Sequence, residues 1–183
     1  MAGRTLYEAW VSHVEPLRAA LQCITPERFV LRESPQGLRA DKVYSCTVNN
    51  MNPVPLKGGG ISIVVGQTIR INRTHTTVAQ ERYIVEVLSY AYGFKVGPEP
   101  QSLEILTFHW DGVDSASGGI SPGHLHIGRR LLAQPTPIRP GDFQNAHVPT
   151  GYLSIATMVR FAITELGVSP LNDDWVGALA NEQ

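Results

Sequence analysis

The chain has 183 residues, 43% hydrophobic and 17% charged, and its 15 Lys and Arg against 16 Asp and Glu leave a formal charge of −1. That composition suits a single domain over residues 1–183 with a core that needs no disulfide or metal staple, and it excludes disordered and collagen-like chains. The longest apolar runs, such as Ile63-Val64-Val65, fall far short of the roughly 20 residues of a membrane-spanning helix, so no membrane role is expected.

The N-terminus meets Glu8 and Glu15 before a secretory apolar stretch could form, which predicts a cytoplasmic protein with Cys23 and Cys46 as reduced thiols. Leu6, Trp10, Val14, Leu17 and Leu21 recur at helical spacing and predict an amphipathic helix capped by Thr5 and kinked or restarted at Pro16. From Arg28 to Phe94 the pattern turns β-branched and alternating. Strands are expected at 28–31, 43–48, 61–65, 68–71 and 83–94. Turn chemistry separates them at Ser34-Pro35-Gln36-Gly37, Asn49 to Pro55, Gly58-Gly59-Gly60 and Gly66-Gln67. Connections this short force antiparallel pairing, because a parallel neighbour needs a crossover of about a dozen residues.

Charge is uneven along this stretch. Residues 28–82 carry eight Lys and Arg against three Asp and Glu, whereas 99–114 hold Glu99, Glu104, Asp111 and Asp114 with no basic residue. Twelve of the fifteen basic residues are Arg, which suits bidentate contacts to phosphate and equally reflects genomic base composition.

Two further strands, 102–110 and 124–130, flank the glycine-rich loop 111–123. After the proline-rich segment 134–141, Ile155, Met158, Val159, Ala162, Ile163 and Leu166 mark a helix, with Ser154 or Thr150 at its start and Gly167 at its end. A last turn opens at Asn172-Asp173-Asp174, with Trp175 and Leu179 four apart on its inner face. The expected class is α+β: an antiparallel sheet of five to seven strands, an N-terminal helix, and C-terminal helices covering one face.

Four of the six histidines, His109, His124, His126 and His147, fall between positions 109 and 147. Strand alternation puts His124 and His126 on one face and turns Leu125 and Ile127 to the core. A hairpin between the two flanking strands would bring His109 opposite His124, so three imidazoles would share a patch. Three readings follow. The histidines are polar residues at a solvated strand end; or they hold zinc or iron, with His109, His147, Asp111 or Asp114 completing the set; or they perform acid/base chemistry on a phosphodiester. In the third, His124 and His126 are acid and base, His109 orients or shares that work, and Arg129 stabilises the phosphorane, with the basic strands of 28–82 holding the phosphate backbone. Tyr83, Tyr90 and Tyr92 could stack bases, with Tyr83 on the face opposite the other two. Gly58-Gly59-Gly60 lacks the Gly-Lys-Ser/Thr of a phosphate loop, and Ser115, Ser117 and Ser121 lack a nucleophile elbow.

Ser89-Tyr90-Ala91-Tyr92-Gly93-Phe94, then Phe108-His109-Trp110-Asp111, then His124-Leu125-His126-Ile127-Gly128 and a closing helix together resemble the small TumE-type toxins of prokaryotic toxin–antitoxin systems. The likeness spans about residues 80–130. It implies an RNA-directed activity and an antitoxin protein as partner. The expected function is therefore a metal-independent, cofactor-free ribonuclease that also pairs with an antitoxin or a second copy of itself. The alternatives are a non-catalytic protein that binds a partner chain or nucleic acid, and a metal-dependent enzyme built on His-x-His.

Overall fold

Thr5 opens the first helix by a reciprocal cap: its hydroxyl accepts from the Glu8 amide at 3.1 Å, and the Glu8 carboxylate accepts from the Thr5 amide at 3.2 Å. In this computed structural model the described residues are 2–32, 37–58, 60–76, 80–112, 123–128 and 148–180. A two-residue strand, β1 (Ala2–Gly3), precedes helix α1 (Leu6–Leu21). The helix continues through Pro16 as one element instead of restarting. Proline removes one intrahelical hydrogen bond there, and Trp10, Val14 and Leu21, all buried, anchor the helix on both sides of the defect.

The strands are β2 (Phe29–Leu31), β3 (Val43–Val48), β4 (Val54–Pro55), β5 (Ile61–Thr76), β6 (Gln80–Val96), β7 (Leu103–Asp111), β8 (Gly123–Ile127) and β9 (Val148–Pro149). They form one antiparallel sheet in the order β2-β3-β5-β6-β7-β8-β9, with β1 added on β6 and β4 on β5. The α+β class is as expected. The sheet has more strands than five to seven because β1, β4 and β9 have two residues each, too few to show any periodicity.

Two local expectations are overturned. Gly66-Gln67 is no turn: β5 runs straight through it, with Gly66 paired to Ala91 and Gln67 to Tyr90. Gln67 is satisfied by side-chain bonds instead, its carbonyl to His13 Nε2 at 3.0 Å and its amide to the Tyr92 hydroxyl at 2.6 Å. The second correction concerns the tyrosines. Thr68 pairs with Ser89 and Ile69 with Val87, so Leu88 is an extra residue in β6. That bulge shifts the alternation, and Tyr83, Val85 and Val87 pack against the same core that buries Tyr90 and Tyr92. None of these three tyrosines is part of a base-stacking platform on the other face.

Helices α2 (Ile155–Thr164) and α3 (Trp175–Ala180) join α1 on one face of the sheet. The Ser154 hydroxyl accepts from the Thr157 amide at 3.1 Å to start α2, and beyond its end Gly167 adopts φ +69° while the Val168 amide returns to the Ala162 carbonyl at 3.1 Å. Ile155, Met158, Val159 and Ala162 meet Ile63, Val65, Ile69, Ile71, Tyr92 and Phe94 in one core. Phe161 stands edge-on to Phe108, ring centroids 5.8 Å apart. Both cysteines are buried and outside any disulfide, and burial pushes the Cys46 thiol up to about 12. No helix among the described residues is long and apolar enough to cross a membrane.

Candidate active site

The face of the sheet turned away from the helices carries the histidines. Register decides this. In the β6–β7 ladder Tyr92 pairs with Phe108 and Ala91 with His109; in β7–β8, Phe108 pairs with Leu125, His109 with His124 and Thr107 with His126. Phe108 and Leu125 belong to the helix-side core, so His109, His124 and His126 occupy the opposite face.

Two glycines set the position of β8. A Cβ on Gly123 would lie 1.9 Å from the Gly151 carbonyl oxygen, and one on Gly128 would lie 1.7 Å from the Glu104 carbonyl oxygen. Only a residue without a side chain lets the backbones approach so closely. The Thr150 amide bonds the Gly123 carbonyl at 3.0 Å and the Gly128 amide bonds the Ile105 carbonyl at 2.8 Å, which ties down both ends of the His-x-His segment.

The three imidazoles converge. Ring centroids of His109 and His124 lie 5.7 Å apart with planes at 16°, those of His109 and His126 4.9 Å apart at 80°, and those of His124 and His126 4.9 Å apart at 66°. His124 is buried at 6% exposure, while His109 and His126 remain half-buried. The fourth clustered histidine, His147, lies outside the described residues, as do Arg129, Asp114, Ser115, Ser117 and Ser121. Among the described residues no three His, Cys, Asp or Glu side chains are grouped as metal donors.

The basic segment 28–82 does not surround this cluster. β2, β3 and β5 lie on the far side of β6, with β5 three places from β8, about 14 Å at the usual strand spacing. Arg70 of β5 already lies 3.8 Å from the Glu86 carboxylate.

Beside His109 is a trough of about 290 Å³ lined by Ser45, Thr47, Gly66, Thr68, Ser89, Ala91 and Asp111, with Met51 along one side. Two cross-strand rows build it: Thr47, Gly66, Ala91 and His109, and next to that Ser45, Thr68, Ser89 and Asp111. The floor is low at Ala91, whose side chain is a single methyl, while the missing side chain of Gly66 makes room for Met51. Met51 ends a left-handed turn in which Asn49, Asn50 and Met51 have φ of 47°, 52° and 66°. Asparagine adopts this conformation readily, but methionine there costs about 1–2 kcal/mol. The Met51 sulfur rests where a Cβ of Gly66 would be, 2.4 Å from that position. Sequence reading missed this trough; its only trace is the alternation of small residues in Ser45-x-Thr47, Gly66-x-Thr68 and Ser89-x-Ala91.

No family model matches the chain, and no curated protein or solved structure is significantly similar to it.

Proposed function

We propose that the protein is a metal-independent ribonuclease of toxin type, acting on RNA in the cytoplasm and held in check by an antitoxin protein. The observation that carries this reading is the convergence of His109, His124 and His126, no two ring centroids more than 5.7 Å apart. Cleavage of RNA without a metal needs three services at one phosphorus: a base, an acid and a positive charge. Rings this close can act on one phosphodiester together. One neutral imidazole of the His124/His126 pair takes the proton of the 2′-hydroxyl, whose oxygen attacks phosphorus. The other, protonated, gives its proton to the departing 5′-oxygen. The products are a 2′,3′-cyclic phosphate and a 5′-hydroxyl end. His109 orients the pair or shares its work, and the phosphorane charge falls to a protonated imidazole or to Arg129, which follows Gly128 in the chain.

The test is cleavage of a labelled RNA in the presence of EDTA, by the wild type and by His126→Ala, alongside growth inhibition on expression. Loss of both in the variant supports the proposal, and equal cleavage by the two proteins overturns it. Elemental analysis of the purified protein belongs in the same experiment: stoichiometric zinc or iron whose removal abolishes cleavage would replace the metal-free mechanism.

A further inference from the structure

From the trough beside His109 we infer a nucleobase subsite that selects guanine, read by Asp111. The inference rests on the ribonuclease reading for the identity of the polymer, but the trough itself is a separate set of residues. Its volume, about 290 Å³, lies at the lower end of small-ligand pockets, which suits a single ring system and excludes a helix or a folded partner. Ser45, Thr47, Thr68 and Ser89, each with a hydroxyl, line it; the Met51 side chain covers Gly66, and the small Ala91 beside it leaves a floor on which a planar base can lie. The Met51 thioether at one side offers the sulfur–aromatic contact such a ring favours.

Spacing relates this trough to the histidines. Asp111 and His109 are two residues apart on one face of β7, about 7 Å, comparable with the span of a purine from its sugar bond to its far edge. A nucleotide whose base lies over Ala91 and whose edge meets Asp111 therefore leads its own 3′-phosphate to His109, and through it to His124 and His126. Ser89 pairs with Asp111 across the ladder, one strand away, and offers a hydroxyl to the same edge.

The selectivity follows from hydrogen-bond polarity. An ionised carboxylate only accepts. Guanine alone among the four bases presents two adjacent donors, N1–H and the 2-amino group, with O6 beside them as an acceptor for a hydroxyl donor. Adenine and cytosine turn a ring-nitrogen acceptor toward the carboxylate, and uracil flanks its one donor with two carbonyls. Two parallel bonds of this kind discriminate by roughly tenfold to a hundredfold.

Calorimetric titration of the full-length protein with the 3′-monophosphates of guanosine, adenosine, cytidine and uridine tests the assignment. Guanosine 3′-monophosphate is expected to bind at least tenfold tighter than the others. Asp111→Asn, isosteric and at an exposed position, is expected to erase that preference, and Ser89→Leu is expected to weaken all four ligands by filling the trough. Equal affinities for the four nucleotides, no binding of any, or a guanine preference that survives Asp111→Asn would overturn the subsite. Cleavage of RNA is read in parallel. Cleavage without preference for a guanine on the 5′ side of the broken bond removes the subsite and leaves the ribonuclease. Tight guanosine binding with no cleavage keeps the subsite and removes the ribonuclease.

Discussion

His109 and His124 stand directly opposite each other in the β7–β8 ladder, their rings 5.7 Å apart and nearly parallel. A directly opposed pair on a pleated sheet keeps its side chains in contact without any loop to position them. His126, two residues along β8, then meets both rings at 4.9 Å. The cluster is thus held by strand pairing, which makes its geometry rigid and its members separately testable.

Replacing each histidine by alanine is expected to lower RNA cleavage by about 10²–10⁴-fold for the acid and the base, measured with chelator present. His124, buried at 6%, should also lose stability on truncation, whereas His126, half-buried, should lose activity with little change in the unfolding midpoint. Because one imidazole must be neutral and another protonated, the rate should pass through a maximum with pH. A rate that rises monotonically across the histidine range would rule out the paired roles.

The β8 glycines predict a structural failure. Gly123→Ala and Gly128→Ala place a methyl where a backbone oxygen already lies, and neither Gly151 nor Glu104 can yield by a rotamer change. Each variant should cost about 2 kcal/mol or more in urea unfolding and should separate His124 and His126 from His109. A variant with wild-type stability would show that β8 is not held at these two points.

His13 supplies a pH dependence of stability away from the site. Burial lowers its pKa below the ordinary 6.5, partly opposed by its hydrogen bond to Gln67. The unfolded chain therefore binds a proton that the folded chain refuses. The contribution of His13 is fully present above pH 6.5 and is lost as the pH falls below it, until the folded-state value is reached. The slope attributable to this residue is at most about 1.4 kcal/mol per pH unit. Urea melts of wild type and His13→Asn between pH 7.5 and 5.5 should differ by a slope of that sign, and parallel curves would exclude His13 as the source.

Tyr90 joins the sheet to the segment before α2. Its hydroxyl oxygen accepts from the Leu153 amide at 2.7 Å, and its ring stacks on Tyr92 with centroids 4.2 Å apart. Burial pushes its ionisation up to about 12. Tyr90→Phe keeps the stacking and removes the acceptor, so it should cost about 1–3 kcal/mol, the penalty of an unpaired buried amide, and should speed hydrogen exchange at Leu153. Unchanged exchange there would mean the amide has another acceptor.

Much of the architecture was legible one residue at a time. The Thr5 cap, the 155–166 stripe, the Val43–Val48 strand and the shared face of His124 and His126 each rest on interactions within a few residues, and local sequence carries such interactions completely. The hairpin that sets His109 against His124 was also within reach, because both strands are well bounded. Where reading failed, the cause was non-local. Gly66-Gln67 has the composition of a turn, but the ladder to β6 on one side and the bonds to His13 and Tyr92 on the other keep it extended. Tyr83 lies opposite Tyr90 by strict counting, yet one unpaired residue at Leu88 turns it to the core.

Periodicity and capping chemistry by themselves thus determined an α+β chain with an antiparallel sheet and a His-x-His strand, since those patterns report on neighbours along the backbone. Only the tertiary structure decided which strands adjoin. It set the strands of the basic segment across β6 from β7 and β8, and brought Ser45, Gly66, Ser89 and Asp111, from four different strands, into one trough. A cross-strand row has no signature along the chain, because it exists only once the hydrogen-bond register of every ladder has been chosen.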